Sequence, residues 1–191
     1  MKGRTLKQTQ EDYWVKAVGR FKDFLPSDDP KQRLVPLSPA DERLILLPVS
    51  EEEEVEASHL HYPNLIGVCQ YSSAYTRLEM RYAMSILSRF RTKWGKKQFE
   101  VLVKALEYGY ATRAMGLKYD GNQGDDKTNV LEGFADSSIS LPRSQGCRYV
   151  ILNNAAISFT SKRHTTTNDS TAAAELTQQY LCVCDVKGYR I

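Results

Sequence analysis

Two carboxylates frame the stretch of this 191-residue chain whose residue types best suit catalysis. Asp136 ends the apolar run Asn129-Val130-Leu131-Glu132-Gly133-Phe134-Ala135-Asp136. Glu175 lies in Ser170-Thr171-Ala172-Ala173-Ala174-Glu175-Leu176. Two more short apolar runs, Gly146 to Leu152 and Ala155 to Ser161, come between them. The pattern predicts strand, strand, strand, helix, with one acid at a strand end and the other in the first turns of a helix. Acids far apart in sequence, each on a rigid element, are what a divalent metal site on a sheet and a helix requires. Plainer roles compete: a strand-end turn residue for Asp136, a solvated helix acid for Glu175.

The strands expected are Val130–Ala135, Cys147–Leu152 and Ala155–Thr160. The last two are joined by Asn153-Asn154, a pair that tolerates the positive φ of a two-residue hairpin. Asp169 or Ser170 can cap a final helix over Thr171–Val186. His164 falls in a polar loop, Arg163–Asn168. Upstream, Tyr119–Thr128 is a Gly/Asp/Asn loop without the ligand spacing of a calcium loop, and it reads as a linker. Before it, helical periodicity predicts Lys7–Leu25, Tyr62–Tyr71, Thr76–Phe90 with Thr76 as its cap, and Lys96–Met115 stopped by Gly116. The apolar side of Thr76–Phe90 is Leu78, Tyr82, Ala83, Ile86, Leu87 and Phe90. Four of the seven prolines and the run Glu51–Glu54 lie between Pro30 and Ser58, which reads as an extended acidic connector.

The formal charge is only +3, but it is unevenly placed. From Arg77 to Lys118 there are ten Lys/Arg and three Asp/Glu, a local excess of +7, which leaves −4 on the rest of the chain. Arg89, Arg91, Lys93, Lys96 and Lys97 gather at the turn between two predicted helices. There they would face a phosphate backbone together, or else form an ordinary solvated helix surface. Cys69, Cys147, Cys182 and Cys184 lack zinc-knuckle spacing and read as structural thiols of a reducing, intracellular compartment. No apolar run approaches a membrane span, and no apolar core follows the basic N-terminus as in a secretory signal. The expectation is no membrane partner and a cytoplasmic location, with the nucleus as the alternative.

Several motifs, in order, resemble copia-type retrotransposon Pol polyproteins. Gly133-Phe134-Ala135-Asp136-Ser137-Ser138 resembles the Gly-Tyr-Ser-Asp-Ala-Asp opening of that family's ribonuclease H domain. Arg143-Ser144-Gln145-Gly146-Cys147 is similar to its Arg-Lys-Ser-x-Ser-Gly-Tyr, and Ala156 to Lys162 to its Ala-Ile-Ser-Trp-x-Ser-Lys. Ser170 to Leu176 resembles its Ser-Ser-Thr-Glu-Ala-Glu-Tyr. Upstream, Tyr62, Leu65-Ile66-Gly67 and Tyr71, then Thr76-Arg77 and Ala83 to Phe90, then Leu106-Glu107-Tyr108 and Gly116 to Tyr119, resemble the segment joining polymerase to nuclease. Tyr13–Phe21 and Val35-Pro36-Leu37 fit the end of the thumb more loosely.

The resemblance implies an α+β fold. Residues 1–61 would be an N-terminal helix and acidic connector, 62–119 a helical connection segment, and 129–191 an incomplete ribonuclease H-like β-β-β-α unit. It implies a two-magnesium reaction that cuts RNA in RNA–DNA hybrids, with Asp136 and Glu175 as catalytic residues and metal ligands. It also implies nucleic acid and the rest of the polyprotein as partners. Departures are evident. The family's second acid in Asp-Ala-Asp is Ser138 here, the first Glu of Glu-Ala-Glu is Ala173, and Thr-Arg-Pro-Asp is Thr76-Arg77-Leu78-Glu79. Two further acids and the polymerase palm are missing from these residues, and Asp185 is not a convincing substitute. The expectation is therefore a polyprotein fragment without full nuclease activity of its own and with a bare sheet edge. The alternative is a non-enzymatic nucleic-acid-binding module using the basic helical segment.

Overall fold

Leu131–Ser138, Gln145–Leu152 and Ala155–Arg163 pair as a three-stranded antiparallel sheet in sequence order. The expected hairpin is present: Asn153 and Asn154 sit at φ 49° and 67°, the left-handed pair of a tight turn that follows the strands' own twist. Thr171–Gly188 follows as a helix and packs on the first two of these strands. Ser170 caps it, its Oγ accepting from the Ala173 N–H at 3.1 Å. Buried Ala174, Gln178 and Cys182 recur every four residues on the helix side facing the sheet.

The computed structural model describes residues 4–25, 33–121, 129–139, 143–165 and 167–189. Most of the predicted linker (122–128), the prolines expected to stop the first helix (26 and 30) and Pro142 lie outside these residues. In chain order the described elements are β1 (Thr5–Thr9), α1 (Glu11–Arg20), α2 (Pro39–Ile45), α3 (Glu51–Ala57), α4 (Tyr62–Tyr75), α5 (Arg81–Leu87) and α6 (Lys96–Ala111). After them come β2 (Gly116–Asp120), β3 to β5 (the three strands above) and α7 (Thr171–Gly188). The mixture of helices and small sheets is α+β. The chain divides into two compact units, residues 9–116 and residues 1–8 with 117–191. No helix among the described residues is long and apolar enough to cross a membrane.

In the helical unit α6 is the central rod. It touches α1, α2, α3, α4 and α5, and residues on every side of it are buried, including Phe99, Val101, Leu102, Ala105, Leu106 and Tyr108. A helix apolar on one stripe only could not serve five neighbours. Trp14 from α1 lies flat against Gly109, where a side chain would occupy the indole's space. Arg77, 1% exposed, ties this region together. Its guanidinium donates to the Gly109 carbonyl (3.2 Å) and the Thr112 hydroxyl, and pairs with Glu79 at 2.6 Å. It also lies over the rings of Trp14 and Tyr108, 5.7 and 5.5 Å from their centroids. Gln10, just before α1, accepts from the hydroxyls of Ser72 (2.8 Å) and Thr76 (2.6 Å).

Four expectations need correction. The first predicted helix begins at Glu11, and Thr5–Thr9 is a strand paired with β2. All five of its residues are exposed, so no alternation marked it. The acidic connector holds two helices. Pro39 stands at the start of α2 behind the Ser38 cap, where a missing N–H costs nothing. Ser50 and Glu53 close a capping box on α3, each side chain bonded to the other's backbone N–H at 3.1 Å. The helix expected to break at Ser72-Ser73 continues to Tyr75, because both serines are buried and their hydroxyls are bonded to Gln10 and to the Gln70 carbonyl. Thr76 closes α4 rather than opening the next helix. Residues 78–90 then run as 3₁₀, α and 3₁₀ pieces, which rotates Leu78 and Tyr82 to the surface.

All four cysteines are free thiols, with Cys69 and Cys182 buried and Cys147 and Cys184 exposed. Burial pushes the Cys69 thiol up to about 12, which leaves almost no thiolate at neutral pH. Two thiols, Cys147 and Cys184, should therefore react with a disulfide reagent in the folded protein, and all four in denaturant. Fast labelling of Cys69, mapped by peptide mass, would contradict the packing of α4.

Candidate functional site

Asp136 sits two residues from the end of β3, opposite Cys147 in β4. A side chain at Gly133 would meet Val186 Cγ2 at 2.8 Å and Cys182 Sγ at 2.9 Å, so that position faces α7. Strand alternation then turns Ala135 and Ser137 toward α7, and Phe134, Asp136 and Ser138 to the other face. The stacked rings of Phe134 and Tyr149, 5.0 Å apart, mark that open face. Burial, and next the charge of its cross-strand partner Asp136, raise the pKa of the Cys147 thiol. Glu175 follows buried Ala174 in the second turn of α7. Both acids are exposed. The structure therefore puts Asp136 and Glu175 on opposite sides of β3. Asp185 is committed elsewhere, pairing with Arg148 at 2.6 Å.

The residues present can be tested against a pair of magnesium ions. Among the described residues no three His, Cys, Asp or Glu side chains converge as a metal site. Two exposed carboxylates on opposite sides of a strand supply too few converging oxygens. These residues do not by themselves fit the two-metal centre that the resemblance implies.

Sequence reasoning missed a buried polar group on the α7 side of the same strand. Gly146 pairs with Ser137, and the side-chain space it leaves is taken by His164 Nε2 and the Gln178 amide. Asn168 Nδ2 lies 2.7 Å from His164 Nδ1. Ser137 Oγ, Ser144 Oγ, His164 Nε2 and Gln178 Nε2 are all buried without a hydrogen-bond partner among the described residues. The available signal was Gln178, a polar residue on the apolar stripe of Ala174 and Cys182.

The five predicted cations lie where α5 hands over to α6. Arg89, Arg91, Lys93 and Lys96 are exposed and Lys97 is half-buried. The turn is firmly built. Trp94 stacks on Tyr62 (5.7 Å, 16°) and donates from Nε1 to the Ala57 carbonyl at 3.1 Å. The Gly95 N–H donates to Gln98 Oε1 at 3.0 Å. The cluster is not bare: Lys97 pairs with Glu53 at 3.1 Å and Lys93 with Glu54 at 3.7 Å, both from α3, and Lys96 with Glu100 at 3.9 Å. The Ser50 backbone N–H, and then Lys97, hold the Glu53 carboxyl below the usual range.

The geometry defines a class: an α+β chain with a cationic turn on a helical unit and a three-stranded antiparallel sheet covered on one face by a helix. The chain is similar to retrotransposon proteins. Over 178 residues, 90% of the chain, it is 26% identical to the retrovirus-related Pol polyprotein from transposon TNT 1-94 of Nicotiana tabacum. Over 102 residues, 53% of the chain, it is 28% identical to the putative transposon Ty5-1 protein of Saccharomyces cerevisiae. The resemblance to retrotransposon Pol polyproteins is thus borne out. The chain spans 13% of the first relative's length and 33% of the second's. No family model matches it, and no solved structure matches it significantly.

Proposed function

We propose that this chain is the part of a copia-type reverse transcriptase–ribonuclease H polyprotein that joins the polymerase to the nuclease, and that it grips nucleic acid without cutting it unaided. The observation that carries this reading is β3–β4–β5 running antiparallel in sequence order and feeding directly into α7. Its motifs are those that resemble the opening of the nuclease domain, in a chain similar to two transposon proteins. Asp136 and Glu175 occupy the positions of that family's first two acids. Lying on opposite sides of β3, they would hold magnesium together only with further carboxylates and a rearrangement that brings the two to one side. The outer stripe of α7, with Leu176, Tyr180 and Val183 each at least half exposed, supports an incomplete unit, since an apolar stripe of this kind usually packs against something. The second reading, a non-enzymatic binding module, draws on the basic turn, which is rigidly held while the acids do not converge.

Both readings are tested by binding to a fluorescent RNA–DNA hybrid. Three to five phosphate contacts predict that affinity falls about 40- to 500-fold between 50 and 200 mM salt. Substituting Arg89, Arg91, Lys93, Lys96 and Lys97 together with Gln should flatten that dependence. Absence of binding at 50 mM salt would remove nucleic acid from the account. With magnesium added, no cleavage above background is expected; cleavage abolished by Asp136→Asn would instead make this polypeptide a nuclease in its own right.

A further inference from the structure

We infer that α3 is a resident competitor for the basic turn: its glutamates occupy the cations that a phosphate backbone would use, and a polyanion binds by displacing them. The inference rests on the reading of that turn as a nucleic-acid surface and adds a control on it.

The docking of α3 is specific. The Ala57 carbonyl, at its C-terminal end, accepts the Trp94 indole N–H. At its other end, a side chain at Gly95 would stand 3.3 Å from Val49 Cγ1 and 3.6 Å from Glu53 Cβ, so the turn backbone lies close against the start of the helix. Between these two anchors Glu53 meets Lys97 and Glu54 meets Lys93. The capping box fixes the Glu53 backbone and the first turn that carries both acids.

The pairs are suited to exchange. All four side chains are 37–53% exposed, and ion pairs of that kind are individually weak. A phosphate backbone offers several charges at once and gains from released counterions, so it can replace two such pairs that a single anion could not. Two of the five cations are thereby withheld from weak or sparsely charged anions and yielded to a dense polyanion.

The experiment compares the full chain with Glu53→Gln/Glu54→Gln and with Glu51→Gln/Glu52→Gln, which changes net charge equally on the same helix but touches neither ion pair. Gln at position 53 keeps the capping box, so α3 should persist; circular dichroism and Trp94 emission check this. Affinity for the RNA–DNA hybrid at 50 mM salt should rise about three- to tenfold in the first variant and less than twofold in the second. The advantage should fade by about 300 mM salt as screening weakens the pairs. Equal gains in both variants would reduce the effect to net charge and overturn the inference. No gain in either, with normal binding, would overturn it too while leaving the nucleic-acid surface intact. If none of the three proteins binds, and Lys93→Gln/Lys97→Gln behaves identically, the surface itself is misassigned.

Discussion

Replacing Arg77 with alanine should destabilise the helical unit by about 2–3 kcal/mol, the scale for truncating a fully buried side chain together with its hydrogen bonds. The guanidinium is fully enclosed and serves five neighbours. Its loss removes a donor from the Gly109 carbonyl and from the Thr112 hydroxyl, which keeps its own bond to the Tyr108 carbonyl, frees the solvent-exposed Glu79, and opens space against Trp14 and Tyr108. Arg77→Lys should recover less than half of the loss, because an ammonium cannot reproduce the planar fork. The measurement is convenient: the chain's two tryptophans, Trp14 and Trp94, both belong to this unit, so indole fluorescence in a urea titration reports its unfolding selectively. A loss below about 1 kcal/mol would mean that Arg77 is solvated and the network is not closed.

Gly109→Ala should be the second large effect, and against the usual sign. Alanine in place of a helical glycine normally gains up to about 1 kcal/mol, less in a last turn such as that of α6. Here the added methyl would lie only 2.7 Å from Trp14 Cε3 and nearer still to the ring's far edge. A fully buried indole cannot swing aside as a flexible side chain can, so the net result should be a loss of about 2–3 kcal/mol. Trp14→Leu in the same chain should recover part of it, with Trp94 left as the probe. Non-additivity above about 1 kcal/mol in that cycle would locate the effect at this contact. A neutral or stabilising Gly109→Ala would mean that α1 does not seat its tryptophan there.

The sheet and its helix were the legible part of this chain. Three short apolar runs, an Asn-Asn turn and a Ser cap are local signals, and they correspond to β3, β4, β5 and α7 within a few residues. What escaped notice depended on distant partners. Thr5–Thr9 buries no face and finds its strand only at Gly116–Asp120, so it carries no pattern of its own. Ser72 and Ser73 look like a break until Gln10 is known to bond one of them. Prolines 39 and 48 seemed to argue against regular structure, yet Pro39 opens a helix. For the acids, the alternation along β3 was readable. The face covered by α7 was not, because only the close approach of Gly133 to Cys182 and Val186 decides it. The cationic turn was legible as a cluster. Its neutralisation was not, because an acidic run in a proline-rich stretch carries the pattern of an extended connector and no local sign that Glu53 and Glu54 meet Lys97 and Lys93.

The pairing of β1 with β2 has a consequence for how the chain is made. β2 is synthesised about 110 residues after β1, a delay of roughly 5–20 s at ordinary elongation rates. The whole helical unit is synthesised in that interval and can complete its own core first. The N-terminal strand spends the interval unpaired in the growing chain, available to nascent-chain binders or to cleavage. A break within residues 9–116 would turn this pairing from an intrachain event into a bimolecular one.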